Sequence, residues 1–157
     1  MKDLEEPNAL NDVGKFHKTF NLPILDSPVI PDEKRCALRI NLIEEELKEL
    51  KEAIANNDLV EVADAFCDIQ YVLSGAILEF GLGAKFKGLF DEVQRSNMSK
   101  TCKTKEEAQA TQKHYLEKDK TISEVVSRGE EYIVYRKADG KVLKSVNYSP
   151  ADIAKFL

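Results

Sequence analysis

A chain of 157 residues, 43% of them hydrophobic, is long enough for one domain with a sizeable core. Its net charge of -5, with no basic stripe to offset the acids, argues against a binder of nucleic-acid polymers or anionic membranes; free nucleotides stay open because a metal ion supplies the missing charge. Cys36, Cys67 and Cys102 are odd in number and lack C-x-x-C spacing, so they read as reduced thiols; no signal peptide opens the chain, and its longest apolar-rich run, Ala65 to Leu82, is broken by Asp68, Gln70, Ser74, Gly75 and Glu79, so a cytoplasmic protein is expected.

Leu10, Val13, Phe16, His17 and Phe20 recur at spacings of three and four, which predicts an amphipathic helix over 8–20, ended near Asn21 and Pro23. A histidine between two phenylalanines, as His17 is, is more often a hydrogen-bonded core or rim residue than a catalyst. Pro23, Pro28 and Pro31 make 21–31 a connecting loop. A second helix is predicted from about Asp32 to Ala55, a polar turn at Asn56-Asn57-Asp58, and a third helix from about Leu59 to Phe80. So short a turn makes the two helices antiparallel neighbours. Gly81-Leu82-Gly83 ends the third helix, and Phe86, Leu89, Phe90 and Val93 mark a fourth, closed by Arg95-Ser96-Asn97-Met98-Ser99-Lys100. That cluster either holds phosphate or ribose oxygens or complements the negative end of the helix dipole.

Thr104-Lys105-Glu106-Glu107 reads as a capping box for a short, polar helix through about Lys118. Further on, Glu131 to Arg136 and Lys141 to Lys144, joined through Ala138-Asp139-Gly140, read as a β-hairpin about an Asp-Gly turn, with Ile122 to Val126 as a candidate third strand. Ser149-Pro150 then caps a last short helix, Ala151 to Phe156. The expected fold is mainly α: an antiparallel helical bundle over 1–120, with a small C-terminal β-hairpin appendage and terminal helix over 121–157.

The chemistry concentrates on the second and third helices. At about 100° per residue, Glu45, Glu46 and Glu49 share an arc with Leu38, Leu42 and Ala53, beside an apolar stripe of Ile43, Leu47, Leu50 and Ile54. Asn41, Glu44, Lys48, Lys51 and Glu52 take the solvated side, so the first three acids border the core. On the third helix Glu61, Asp64 and Asp68 share one face of an otherwise apolar run. Like charges buried together are unfavourable unless something positive neutralises them, and a divalent cation does so directly. Oxygen donors from two facing helices suit Mg²⁺, or Mn²⁺. A Glu-rich helix alone is commonly a solvated face, and Glu61 also completes the capping pattern Asp58-x-x-Glu61; the combination of both acidic helices is what favours a metal. Glu46 and Glu61 are not level on an ideal hairpin, so a bend or a second subunit is needed to unite all four positions.

Glu45-Glu46-Leu47-Lys48-Glu49, followed by Glu61-Val62-Ala63-Asp64, fits the pattern E-E-x-x-E then E-x-x-D on the next helix. Over about residues 8–100 the chain resembles the all-α nucleoside triphosphate pyrophosphohydrolases, the superfamily of MazG, dimeric dUTPase-like enzymes and phosphoribosyl-ATP pyrophosphohydrolase. Phe16-His17-x-x-Phe20 and Ser96-Asn97-Met98-Ser99-Lys100 resemble accessory pieces of the phosphoribosyl-ATP pyrophosphohydrolase-like branch, while the C-terminal hairpin lies outside the usual core. The resemblance implies hydrolysis of a nucleotide substrate between its α and β phosphates to a monophosphate and pyrophosphate, with Mg²⁺ or Mn²⁺, in a homodimer or homotetramer. Carried across residue by residue, it implies Glu46, Glu49, Glu61 and Asp64 as metal ligands, and Glu45 as the group that orients or deprotonates the attacking water. It further implies Asp68 near metal-bound water or the sugar, Arg95, Asn97 and Lys100 near phosphate or ribose, and His17 with Phe16 or Phe20 against the base. Two rivals remain: a non-catalytic helical module whose acids bind a structural cation or a basic partner, and an enzyme cleaving another diphosphate linkage, such as that of a nucleotide sugar. Consumption of a triphosphate with Mg²⁺ separates the first rival.

Overall fold

The computed structural model describes residues 4–157. Among these the chain is mainly α, with five α-helices, one two-stranded antiparallel sheet and a short 3₁₀ turn. It falls into two compact units, one ending at Phe86 and one running Lys87–Leu157.

The first unit holds α1 (Ala9–Thr19), α2 (Glu33–Ala55) and α3 (Leu59–Glu79), each within a residue or two of its expected bounds. Asp32 caps α2 by accepting the Arg35 N–H at 3.0 Å, and Asp58 caps α3 by accepting those of Val60 and Glu61. Between them the chain reverses within Asn56 to Asp58, with Asn57 at φ +54° and the Asp58 N–H donating back to the Ala53 carbonyl, so α2 and α3 pack antiparallel. The proline-rich segment before α2 has no regular structure and runs along the C-terminal end of α3, where Leu25 and Val29 N–H groups reach the carbonyls of Leu78 and Phe80 at 3.0 and 3.1 Å. Gly81, at φ +67°, permits that close approach: a Cβ there would lie 1.9 Å from the Ser27 carbonyl oxygen.

A buried ionic network joins the three helices. The Glu79 carboxylate, 1% exposed, accepts from Arg35 and Arg39, which stand one turn apart on α2. Burial opposes its ionisation, but the two guanidiniums outweigh that and hold its pKa below the ordinary carboxylate range. The equally buried His17 donates through Nδ1 to the Pro23 carbonyl at 2.8 Å, which leaves Nε2 facing Arg39 at 3.5 Å. Gly75 makes room for this packing, since a Cβ would sit 2.7 Å from Arg39 Nη1 and 3.0 Å from His17 Nε2. Outside the network, α3 leaves Leu59, Val60, Phe66, Tyr71 and Leu73 exposed, and α2 leaves Ile40, Leu47 and Ile54.

The second unit contains α4 (Phe86–Met98, whose first residue closes the first unit), α5 (Lys105–Asp119), β1 (Ser123–Arg128) and β2 (Glu131–Arg136). Its core is Cys102, Ala108, Val134 and Leu143, packed with Tyr115, Val125 and Tyr132. Thr104 caps α5 by accepting the Glu107 N–H, while the Glu107 carboxylate takes the N–H of Lys103 instead of closing the expected box on Thr104. The hairpin differs from expectation: β2 pairs with β1, from Ser123 opposite Arg136 to Arg128 opposite Glu131. Its two-residue turn has Gly129 at φ +59°. The Asp139-Gly140 turn does form, with Gly140 at φ +70°, but the chain after it forms no strand with β2: it makes a bridge of Tyr135 with Val142, flanked by the Arg136 N–H to Lys141 carbonyl and Leu143 N–H to Val134 carbonyl bonds, both at 2.8 Å. The last helix is also shorter than expected, a 3₁₀ turn over Ile153–Phe156 without a side-chain cap. Among the described residues, no helix is long and apolar enough to cross a membrane.

Candidate active site

The acids of α2 and α3 form one electrostatic neighbourhood around Glu46. Its side chain is half-buried, and its Oε2 is enclosed with no hydrogen-bond partner. Burial is the first cause that raises its pKa above the ordinary value, followed by the charges of Asp68, Glu49, Glu45 and Asp64. The antiparallel hairpin explains the set, because Glu46 and Asp68 stand equally far along the chain from Asn57. Asp68 is half-buried, whereas Glu45, Glu49 and Asp64 are exposed. Glu61 lies in the first turn of α3, exposed, and its charge is not among those that act on Glu46. Among the described residues, no three acidic, histidine or cysteine side chains close into a geometry that would hold an ion. Like charges with nothing between them repel, so a spread face is the expected arrangement of these carboxylates alone. Its donors are all oxygen, which fits Mg²⁺ or Mn²⁺ and not a thiolate-seeking metal.

Beside this face, α1 and α3 line an open, mainly apolar cleft of about 460 Å³, with Val13, Phe66, Cys67, Gln70 and Tyr71 among its walls. Cys67 and Tyr71 follow Asp64 and Asp68 by about one helical turn, so the cleft adjoins the acidic face of α3. Phe16 meets the Tyr71 ring edge-on at 5.6 Å and packs on Phe20 at 4.4 Å. His17, between them in sequence, is turned inward to Pro23 and Arg39, and holds α1 in place.

In the second unit the Arg95 guanidinium uses four of its five N–H groups: Nε and Nη2 donate to the buried Glu92 carboxylate at 2.8 and 2.9 Å, Nη1 to Ser149 Oγ, and Nη2 to the Pro150 carbonyl. The Arg95 pair is the main reason Glu92 titrates well below the usual range. Arg95 thus ties the C-terminal segment to α4, while Lys100 donates to Asn97 Oδ1 at 2.7 Å and keeps two further donor positions. Sequence reasoning overlooked the roles of Arg35, Arg39, Gly75 and Glu79; the available signals were two arginines at i, i+4 and a lone acid closing an apolar helix.

Residues 13–97 match the family described as phosphoribosyl-ATP pyrophosphohydrolase, a stretch that includes the acids of α2 and α3 and Asn97 but not Lys100. The chain is also 33% identical over 92 residues to "Uncharacterized protein L479" of Acanthamoeba polyphaga mimivirus. That alignment covers 56% of this chain and 37% of the viral protein, so the chain spans well under half the length of this relative. With more than half of its length matched across the helices that carry the acidic face, the chain belongs to the phosphoribosyl-ATP pyrophosphohydrolase family, which points to nucleotide pyrophosphohydrolase activity in general.

Proposed function

We propose that the protein is a metal-dependent pyrophosphohydrolase that splits a nucleoside triphosphate, or a related phosphorylated nucleotide, at the α–β linkage. The observation that carries this reading is the enclosed, partnerless Glu46 oxygen among four other carboxylates, inside the family-matched helices. A carboxylate so placed is stabilised by a cation far more than by any neighbour in the chain. Glu46, Glu49, Glu61 and Asp64 would hold Mg²⁺, or Mn²⁺. Such ions, when bound, offset phosphate charge and lower the pKa of water. Glu45 orients the attacking water and takes its proton; Asp68, half-buried beside Glu46, orients bound water or the sugar. The apolar cleft between α1 and α3 accepts the flat face of a base. In the second unit, Asn97 and Lys100 offer donors of the kind that phosphate and ribose oxygens take. The exposed apolar residues of α2 and α3 favour a homodimer or homotetramer built through those helices.

A panel of ribo- and deoxyribonucleoside triphosphates, with Mg²⁺ or Mn²⁺, tests the reading by chromatography of the products. Monophosphate and pyrophosphate in equal amounts are expected. Inorganic phosphate as the first product would place the cut at the terminal linkage instead, and turnover of nucleotide sugars alone would favour the other diphosphate linkage.

A further inference from the structure

We infer that the outer edge of β1 is a self-pairing surface: it joins β1 of a second copy of this chain, antiparallel and about a two-fold axis at Val126, so that two hairpins continue as one four-stranded sheet. The edge lies beyond the family-matched residues and apart from α2 and α3, so the inference does not depend on the hydrolase reading.

The ladder fixes which backbone groups point outward. Tyr132 exchanges two hydrogen bonds with Cys102, both at 2.8 Å, so its N–H and carbonyl face away from β1. Ser127, opposite Tyr132, therefore sits in a non-hydrogen-bonded pair, and Ser127 and Val125 turn their own N–H and carbonyl groups away from β2. The Lys137 N–H to Ile122 carbonyl bond, at 2.9 Å, gives the same alternation from the other end. The outward residues of β2 are all met: Tyr132 by Cys102, Val134 by Leu143 and Arg136 by Lys141. On β1 the Ser123 carbonyl accepts from Gln112 Nε2 at 2.9 Å, and beyond it a cleft of about 250 Å³ opens beside Val125 and Ser127. Among the described residues, no bond from outside the sheet reaches the backbone of those two. Open edges are normally blunted by proline or by a bulge. Ser123–Arg128 has no proline, and its register with β2 is unbroken from end to end.

Charge complementarity selects a second copy as the occupant. Glu124 and Arg128 are exposed and flank Val126 on one face of the strand. Antiparallel pairing about Val126 sets Glu124 of each copy opposite Arg128 of the other, with the two Val126 side chains between these charge pairs. All of them then occupy non-hydrogen-bonded positions, where side chains approach most closely, while Val125 and Ser127 exchange the main-chain bonds. The neighbouring registers lack this match: a two-fold axis at Val125 sets Glu124 opposite Val126, and one at Ser127 sets it opposite Glu130. The helical layer fits as well. α5 packs on both strands of its own hairpin, and hairpins adjacent in one sheet are centred two strand spacings apart, about 9.5 Å. That is within the distance at which two helices pack.

Sedimentation velocity on the full chain, from micromolar to millimolar concentration, tests the pairing with two surface variants, Glu124→Arg and Arg128→Glu. Each alone turns both attractions into repulsions and should weaken association about tenfold or more. Mixed together, the two variants should associate as the unaltered chain does, because acid again faces base at both positions. Ser127→Pro removes an outward N–H without touching the β1–β2 ladder and should weaken association in the same way. None of these changes touches α2 or α3, so the mass should fall to that of a helix-paired dimer where that contact forms, and to the monomer where it does not. Equal masses for the unaltered chain and both charge variants overturn the proposal and leave the edge to an extended segment of another protein. A loss that mixing does not restore overturns pairing about Val126. The assay involves no turnover, so its failure leaves the hydrolase reading standing.

Discussion

Replacing Glu46 with Gln keeps the shape of the side chain and removes one negative charge from a face where Asp68, Glu49, Glu45 and Asp64 all disfavour it. An unsatisfied polar atom costs about 1–3 kcal/mol, more when charged; the side chain is only half-buried, so solvent screens part of the effect and we take about 1 kcal/mol. For a chain of this size that is a rise of about 2–4 °C in Tm without metal. The pKa of Glu46 is raised on folding, so the folded chain binds more protons than the unfolded one between the ordinary glutamate value and the raised one. Apo stability therefore falls as pH rises through that window. The advantage of Glu46→Gln should be full above the window and vanish below the ordinary value of about 4.3. Mg²⁺ should reverse the ranking, because it stabilises the unaltered protein by mass action and the variant less. Turnover should drop by about 100-fold or more, since loss of even an outer partner of a ligand costs about 10–100-fold. Thermal unfolding by calorimetry in EDTA and in Mg²⁺, at pH values on either side of the window, reads all of this. A variant that is less stable than the parent in EDTA at neutral pH, with an unchanged response to Mg²⁺, would refute the reasoning.

Glu79→Ala strands Arg35 and Arg39 beside a cavity and should cost about 3–5 kcal/mol in urea unfolding; because the pKa of Glu79 is depressed, its contribution is present above the ordinary carboxylate value and is lost as pH falls through the depressed one. Gly75→Ala forces a methyl against Arg39 and His17 and should cost about 1–3 kcal/mol by the same measurement. Arg95→Ala leaves the buried Glu92 carboxylate with Lys155 at 3.3 Å and should lower stability while KM for the nucleotide changes little; the opposite pattern would assign Arg95 to substrate. Light scattering at micromolar concentration should give a dimer or tetramer, and a monomeric mass would leave the exposed apolar residues of α2 and α3 without the proposed partner.

The helices were legible because their signals are local. Prolines at 23, 28 and 31, the Asn-Asn-Asp reversal and an apolar period of three to four each constrain a few neighbouring residues, and the structure follows them. The two acidic helices were legible, but the neighbourhood of Glu46 was not: the sequence reading joined Glu61 to Glu46, Glu49 and Asp64, whereas Asp68, as far from Asn57 as Glu46 is, has the largest charge effect on Glu46. The hairpin was misread because the Asp-Gly turn is the stronger local signal; both turns form, but Val125 and Val134 bury against Ala108 and Cys102, and that tertiary contact selects β1 as the partner of β2. The Glu79 network and the Arg95 clamp join residues far apart in the chain, where neither periodicity nor capping rules reach.

Hydrolysis in ¹⁸O-labelled water tests the central claim most directly. Attack by water at the α phosphorus predicts the label in the nucleoside monophosphate and unlabelled pyrophosphate. Label in the pyrophosphate would place the attack at the β phosphorus and contradict the account.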